Sequence, residues 1–516
     1  MAEVQSANPE AVDEFEREPV PERALLGFKS FVGMYAGEHT AGTELMIGPL
    51  FVASGVSAFD LLVGLLTGNL LAVLSWTLLT APVATRARLT LYYQLEKICG
   101  RNLVTLYNLA NGVMFCFLAG SMITVSATAI GVWTRFEPPK LNDVAPFPLP
   151  EGVYQSLDSI GLIDADTTRR VETINVGWIV AALGAGLLTA VVAAYGYKFV
   201  AHVANIAAPW MTLVFLAFGL VSLRQFIVAT NTEIHSARDL WILATTHIWT
   251  GGDPLPGQVK FTLWHVMFFS WFCNMAMHIG MSDLTIFRYA RRSWYGLATS
   301  SGMYLGHFLA WIAASLMYAL QRYENPSNTD VLPGLMADRA CGIAGLLCVI
   351  VAGWTTANPT IYRAGLAFQA IMPSVSRVKV TLVTGMIAAV AGTFPAIAMK
   401  MLNFVALYGL ILMPMGAIVL VDFYWMRRLG LTPNYAEFAN KKFNWAAALT
   451  WLLTLAVCVF LARYVAVREF LVARGIDVLP ANFNGVEIFF VGLPGWFLAA
   501  SLYVVLSKLY QRKGQP

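Results

Sequence analysis

Residues 37–51, GEHTAGTELMIGPLF, place three glycines (Gly37, Gly42, Gly48) and Pro49 in an otherwise apolar run. Glu44 falls near the middle of the apolar stretch 32–57. Gly and Pro free backbone carbonyls and amides, and helices interrupted this way at the bilayer midplane are where ions and small molecules bind. An acid at such a depth costs several kcal/mol if left unpaired, which makes Glu44 a functional candidate. The bland alternative is a Pro-kinked helix in which Glu44 faces a polar neighbour. Glu38 and His39 are expected nearer the end of this span.

Working outward, the same logic applies to the whole chain. Of its 516 residues, 58% are hydrophobic and only 12% charged, about half the charge of a soluble protein. Too little polar surface is available for soluble domains, so the outside of the fold faces a lipid bilayer. A bilayer-crossing helix needs roughly 20 largely apolar residues. Such runs begin near Met34, Phe59, Asn102, Val176, Phe199 and Phe261, then near Trp294, Gly342, Val380, Leu402, Trp445 and Val486. They are continuous, where barrel strands would alternate. The fold class is therefore an all-α polytopic membrane protein of about twelve transmembrane helices. Lys and Arg collect in the even-numbered connections: Arg86, Arg88, Lys97 and Arg101; Arg288, Arg291 and Arg292; Arg427, Arg428, Lys441 and Lys442. The positive-inside rule then puts both termini in the cytoplasm of a multi-pass protein of the cell membrane.

The first 31 residues are acidic and Pro-containing, lack the basic-then-apolar order of a signal peptide, and read as a disordered tail. Net charge is only +4 and no basic stripe is present, which argues against nucleic acid as a partner. The six cysteines are scattered in or beside apolar runs without metal or disulfide spacing, and read as small core residues.

Three further stretches carry polar groups into spans. In 270–292, SWFCNMAMHIGMSDLTIFRYARR, Trp271 offers a flat face and Asn274 an amide fork, a pair suited to a flat, hydrogen-bonding heteroaromatic ligand. Packing is the competing role for Trp271. Gly280 is a place for this span to break. His278 reads as a satisfied buried histidine, with a proton relay as its alternative, and Asp283 and Arg288 as a mutual ion pair at the span's end. In 351–369, VAGWTTANPTIYRAGLAFQ, Thr355 and Thr356 precede Asn358 and Pro359. Hydroxyl and carbonyl oxygens suit a hard cation such as sodium; threonines bonding back to their own helix are the alternative. In 410–428, Pro414 and Gly416 bend a span ending at Asp422 and read as architectural.

These residues resemble the nucleobase:cation symport family 1, the purine/cytosine permeases. PMGAIVLVDFYWMRR (414–428) is similar to the family's tenth-helix ending, with Phe423 where a Tyr is usual. GNLLAVLSW (68–76) resembles its second helix, MSDLTIFRYAR (281–291) its sixth-helix ending, and GWTTANPTIYRAGLAF (353–368) its eighth helix. The resemblance implies a LeuT-type fold with two inverted five-helix repeats, 32–225 and 226–428, and helices eleven and twelve with the C-terminal tail in 429–516. It implies an importer of a nucleobase-like heterocycle coupled to sodium or protons, with no other cofactor. Ala352, Thr355 and Thr356 match the family's sodium-site spacing. Phe115, Trp271, Asn274 and Asn358, with Glu44 in place of a helix-one amide, are the implied substrate contacts. A carboxylate there favours a ligand with adjacent N–H donors or positive charge; holding the coupling proton is the other role open to it.

The competing readings are an importer of a different small cationic or vitamin-like compound, an intramembrane enzyme, or a channel. The chain has no HExxH, GxSxG or phosphate-loop motif.

Overall fold

The computed structural model describes residues 14–136, 138–140, 143–159, 170–399 and 401–512. Among them, nine helices are long and apolar enough to cross a membrane. They form the second to fifth spans (Ala58–Ala87, Arg101–Thr134, Val176–Ala194, Tyr197–Ala229), the seventh and eighth (Ser293–Glu324, Pro333–Ile371), the tenth (Ala406–Tyr424), the eleventh (Trp445–Ala462) and the twelfth (Ile488–Gln511). The three remaining apolar runs complete the set of twelve. The first is split into Phe28–His39 and Glu44–Ala53, the sixth into Leu263–Phe272 and Leu284–Phe287, and the ninth is the 15-residue helix Arg377–Ala391.

Local chemistry sets several boundaries. Ser57 caps the second span through the Asp60 N–H at 3.1 Å, and Asn175 caps the fourth through that of Trp178 at 2.9 Å. Such caps satisfy amides that a helix start leaves without partners. Gly196, at φ +92°, makes the sharp turn between the fourth and fifth spans. Gly342, at φ +55°, breaks the long eighth helix near the point where the apolar run begins.

The packing partners have a symmetry of their own. The outer piece of the first span, Glu44–Ala53, packs on the seventh, and the first piece of the sixth, Leu263–Phe272, packs on the second. Exchanging spans one to five with spans six to ten, in order, converts one pair into the other. The third packs on the eighth and the fourth on the ninth, pairs that the same operation leaves unchanged. The two broken helices are therefore equivalent members of two five-helix halves, the arrangement of an inverted repeat.

The N-terminal segment departs from the sequence expectation. Residues 1–13 lie outside the described ones, but 14–31 are packed, not disordered. Phe15, Val20 and Ala24 are buried, and the acidic Glu14 is 2% exposed. Composition suggested disorder because these acids look solvated; their partners lie far away in sequence. Part of the connection 135–173 is also outside the described residues.

Candidate functional site

The two helix breaks meet at the centre of the molecule. The first comprises residues 40–43, after which Glu44 stands in the first turn of a new helix. A helix N-terminus favours negative charge in that turn. The second break, residues 273–283, includes Gly280 and the left-handed Met281 at φ +62°. Between them lies a cavity of about 50 Å³, lined in part by Glu38, Glu44, Asn274, His307, Thr356 and Tyr408.

On one flank, the first break meets the eighth span. The Thr355 hydroxyl donates to the carbonyls of Gly37 at 3.0 Å and Ala352 at 3.2 Å. The Thr356 hydroxyl donates to those of Glu38 and Ala352, both at 2.9 Å. Five oxygens from two helices thus converge, and the bonds join the spans as well as closing back on the eighth helix. Close approach depends on small residues: a Cβ at Gly42 would come 2.8 Å from Val125 Cγ1 and 3.3 Å from the Gly353 nitrogen.

On the second flank, Glu44 accepts from Trp311 Nε1, and its other oxygen is 3.8 Å from His307 Nε2. His307 lies in the π-helical turn Ser301–Phe308, a register shift common at functional sites. Its ring is 4.4 Å from that of Trp311 and 4.8 Å from that of His39. Gly306 brings this turn against the break, since a Cβ there would sit 2.5 Å from the His39 carbonyl carbon. His39 Nδ1 is 2.9 Å from the Tyr35 carbonyl. A carbonyl only accepts, so Nδ1 carries the proton and Nε2 presents a lone pair. His39 Nε2, His307 Nδ1 and Asn274 Nδ2 are buried without hydrogen-bond partners.

On the side of the chain termini the cavity is closed by a charged cluster. Arg363, fully buried in the eighth span, donates to both carboxylate oxygens of Glu38 at 2.5 and 3.2 Å and to Asp283 at 2.7 Å. Asp283 also accepts from the Tyr35 hydroxyl at 2.6 Å and Trp76 Nε1 at 2.8 Å. Four spans are joined through these bonds. Below them, Glu14 accepts from the hydroxyls of Tyr289 and Tyr362, both at 2.7 Å, and lies 3.8 Å from Arg288.

This geometry revises several sequence expectations. Asp283 and Arg288 are not partners: Asp283 pairs with Arg363, and Arg288 with Glu14. Five positions along a helix carry a side chain to another face, whereas three or four bring it back. Glu38 and His39 lie at the break, not at the span's end. Trp271 is turned away from the cavity; its Nε1 donates to Ser75 at 3.0 Å and its ring stacks on Phe272 at 4.6 Å. Phe115 stands one ring behind the lining, 5.1 Å from Tyr408. Asn358 is buried, is not among the cavity-lining residues, and has no partner for either amide atom. His278 Nε2 is 2.8 Å from the Trp271 carbonyl. Gly416 packs against Gly280 of the sixth-span break, an architectural place. Glu44, Asn274 and Thr356 do share the cavity. Arg363 and His307 went unnoticed in sequence although an ionisable residue inside an apolar run is itself the signal.

No protein-family model matches the chain, and no curated protein does. Solved structures are similar across nearly all of it. One is Mhp1, a nucleobase-cation-symport-1 family transporter, in a closed conformation with bromovinylhydantoin bound: TM-score 0.64, 13% identity, 96% of each chain covered. The inward-facing conformation of Mhp1 gives 0.58 at 14% identity, covering 96% of this chain and 95% of that one. A substrate-bound, outward-open Na+-coupled sialic acid symporter gives 0.54 at 14%, covering 93% and 89%. The likeness shows the fold: an all-α, LeuT-like inverted repeat of the Mhp1 type.

Proposed function

We propose that this chain is a cation-coupled secondary transporter that imports a small nucleobase-like heterocycle across the cytoplasmic membrane by alternating access. The observation that carries this reading is the five-oxygen junction of Gly37, Glu38, Ala352, Thr355 and Thr356 between a broken helix and a neighbouring span. An all-oxygen donor set suits a hard cation, and sodium is the coupling ion proposed for it. The cation supplies positive charge that favours one packing of the first span against the eighth. Coupling then follows, because a ligand shifts a conformational equilibrium only through its different affinity for the two states.

Ligand recognition falls to the cavity. Asn274 Nδ2 donates and His39 Nε2 accepts, while His307 Nδ1 accepts or donates according to the tautomer its other nitrogen sets. A flat ring with a carbonyl and neighbouring N–H groups satisfies that array, and cytosine is such a ring. A space of about 50 Å³ holds a few waters at most, so a heterocycle enters only when one half moves. The halves 32–225 and 226–428 supply that movement, with 429–516 outside them and both termini in the cytoplasm. Glu44 also favours a second reading, an importer of a small cationic or vitamin-like compound, because no Lys or Arg pairs with it.

The test is uptake of labelled cytosine by a permease-deficient bacterial host producing the protein, with sodium exchanged for choline. Sodium-dependent uptake, competed by selected purines and pyrimidines, is the expected result. No uptake of cytosine or of any competitor, with the protein in the membrane, would overturn the substrate class.

A further inference from the structure

We infer that Glu44 and His307 form a proton-binding pair, a second cation site beside the threonine junction. The inference rests on the coupled-carrier reading for its role in transport, but the site itself follows from buried charge. Glu38 and Asp283 share the single Arg363, which leaves that cluster one negative charge in excess. Arg288 is matched by Glu14. The excess lies next to the threonine junction, since the Glu38 carbonyl accepts from Thr356, and a cation there offsets it. Glu44 is a second uncompensated acid. Among the described residues its only ion-pair neighbour is His307, at 3.8 Å, and both side chains are buried.

Closing the transporter around an ionised, unpaired carboxylate is expensive in a medium of low dielectric. One proton removes that cost. It arrives from water on the open side, bonds to Glu44 and is shared with His307, and returns to water when the opposite side opens. The site is built for this load. The carboxylate is held in place by Trp311 and by the Thr43 hydroxyl, both of which serve either protonation state. His307 faces it from a π-helical turn that is pressed to the break by Gly306. The other titratable or charged groups facing the pair are Glu38 and His39 of the first span, Cys273 of the sixth and Tyr408 of the tenth. Arg363 and Asp283 lie behind Glu38. The pair titrates as one unit, with the proton resting on Glu44, because two neutral groups cost less to bury than two ions.

Infrared pH-difference spectra of the full-length protein in lipid nanodiscs, in sodium-free buffer, test this without any substrate. Acidification should bring up a carboxylic C=O stretch that Glu44→Gln abolishes. His307→Gln should move its midpoint by about one pH unit, as loss of a close polar neighbour does, whereas a histidine that only fills space would leave the midpoint alone. The same spectra in wild type and Glu44→Gln would overturn the proposal. Should Glu44→Gln fail to fold, an unmoved midpoint in His307→Gln would overturn it instead. Absence of cytosine uptake, by contrast, counts against the transport reading only, since the infrared signal does not depend on transport.

Discussion

Two polar clusters flank the same pair of helix breaks and are finished to different degrees. Around Arg363, the carboxylates of Glu38 and Asp283 have close protein donors, drawn from Tyr35, Trp76 and the guanidinium itself. Around Glu44, His39 Nε2, His307 Nδ1 and Asn274 Nδ2 are left without partners next to a cavity. Buried polar groups are normally satisfied, and leaving one unmade costs about 1–3 kcal/mol. Arg363 Nε is also without a partner, whereas four such atoms, the Tyr408 hydroxyl being the fourth, belong to residues lining the cavity. The Arg363 cluster is thus a clasp holding four spans together, and the Glu44 cluster is the place we propose for the ligand.

The sharpest way to break this comparison is to open the clasp. Arg363→Met strands two buried carboxylates and should cost about 3–5 kcal/mol, read as a large fall in the unfolding temperature in detergent. Adding Glu38→Gln and Asp283→Asn to it should restore most of that loss, since no charge is then left alone. Failure of the triple variant to recover would mean that Arg363 does more than neutralise its neighbours. A smaller effect is expected from Gly306→Ala. Its new methyl meets the His39 main chain, and overpacking of this kind costs about 1–3 kcal/mol. Uptake should fall along with the unfolding temperature, because the contact sets the distance between His307 and the break.

Glu14→Gln sharpens the comparison further. It keeps the size of a side chain that ties the N-terminal segment to Tyr289, Tyr362 and Arg288. A loss of about 1.5–3 kcal/mol is expected, the range for hydrogen bonds to a charged group. Limited proteolysis should then cut residues 14–26 sooner. The smallest effect belongs to Trp271→Phe. Its indole is turned toward Ser75 rather than the cavity, so the half-saturating cytosine concentration should change less than about twofold. A tenfold rise, about 1.4 kcal/mol, would put Trp271 back in the binding site.

The fold was largely legible because its signals are local. Run length and continuity mark the spans, and Gly280 stands inside the break it suggests. Pro49, by contrast, does not break its helix: the break falls at 40–43 and Pro49 lies inside Glu44–Ala53. Glu44 could be read as a candidate, since ionisable groups are rare in lipid without a purpose, and Thr355 and Thr356 by their spacing. The pairings could not. Arg363 reaches Glu38 across 325 positions and Asp283 across 80, while the nearer Arg288 lies on the wrong side of its turn. Trp271 was attractive for its chemistry, but which face of a helix meets a cavity is decided by tertiary packing. The N-terminal segment shows the same limit: Glu14 looks solvated until Arg288, Tyr289 and Tyr362 are brought to it.

Cation coupling in this protein turns on the five-oxygen junction. The decisive measurement is equilibrium binding of radiolabelled sodium to the purified protein at constant ionic strength, in wild type and in Thr355→Val/Thr356→Val. Valine keeps the shape of threonine and removes its oxygen. The account predicts saturable binding in wild type and at least a tenfold loss of affinity in the double variant, with the protein still folded. Equal binding in the two proteins, or no saturable binding in wild type, would contradict it.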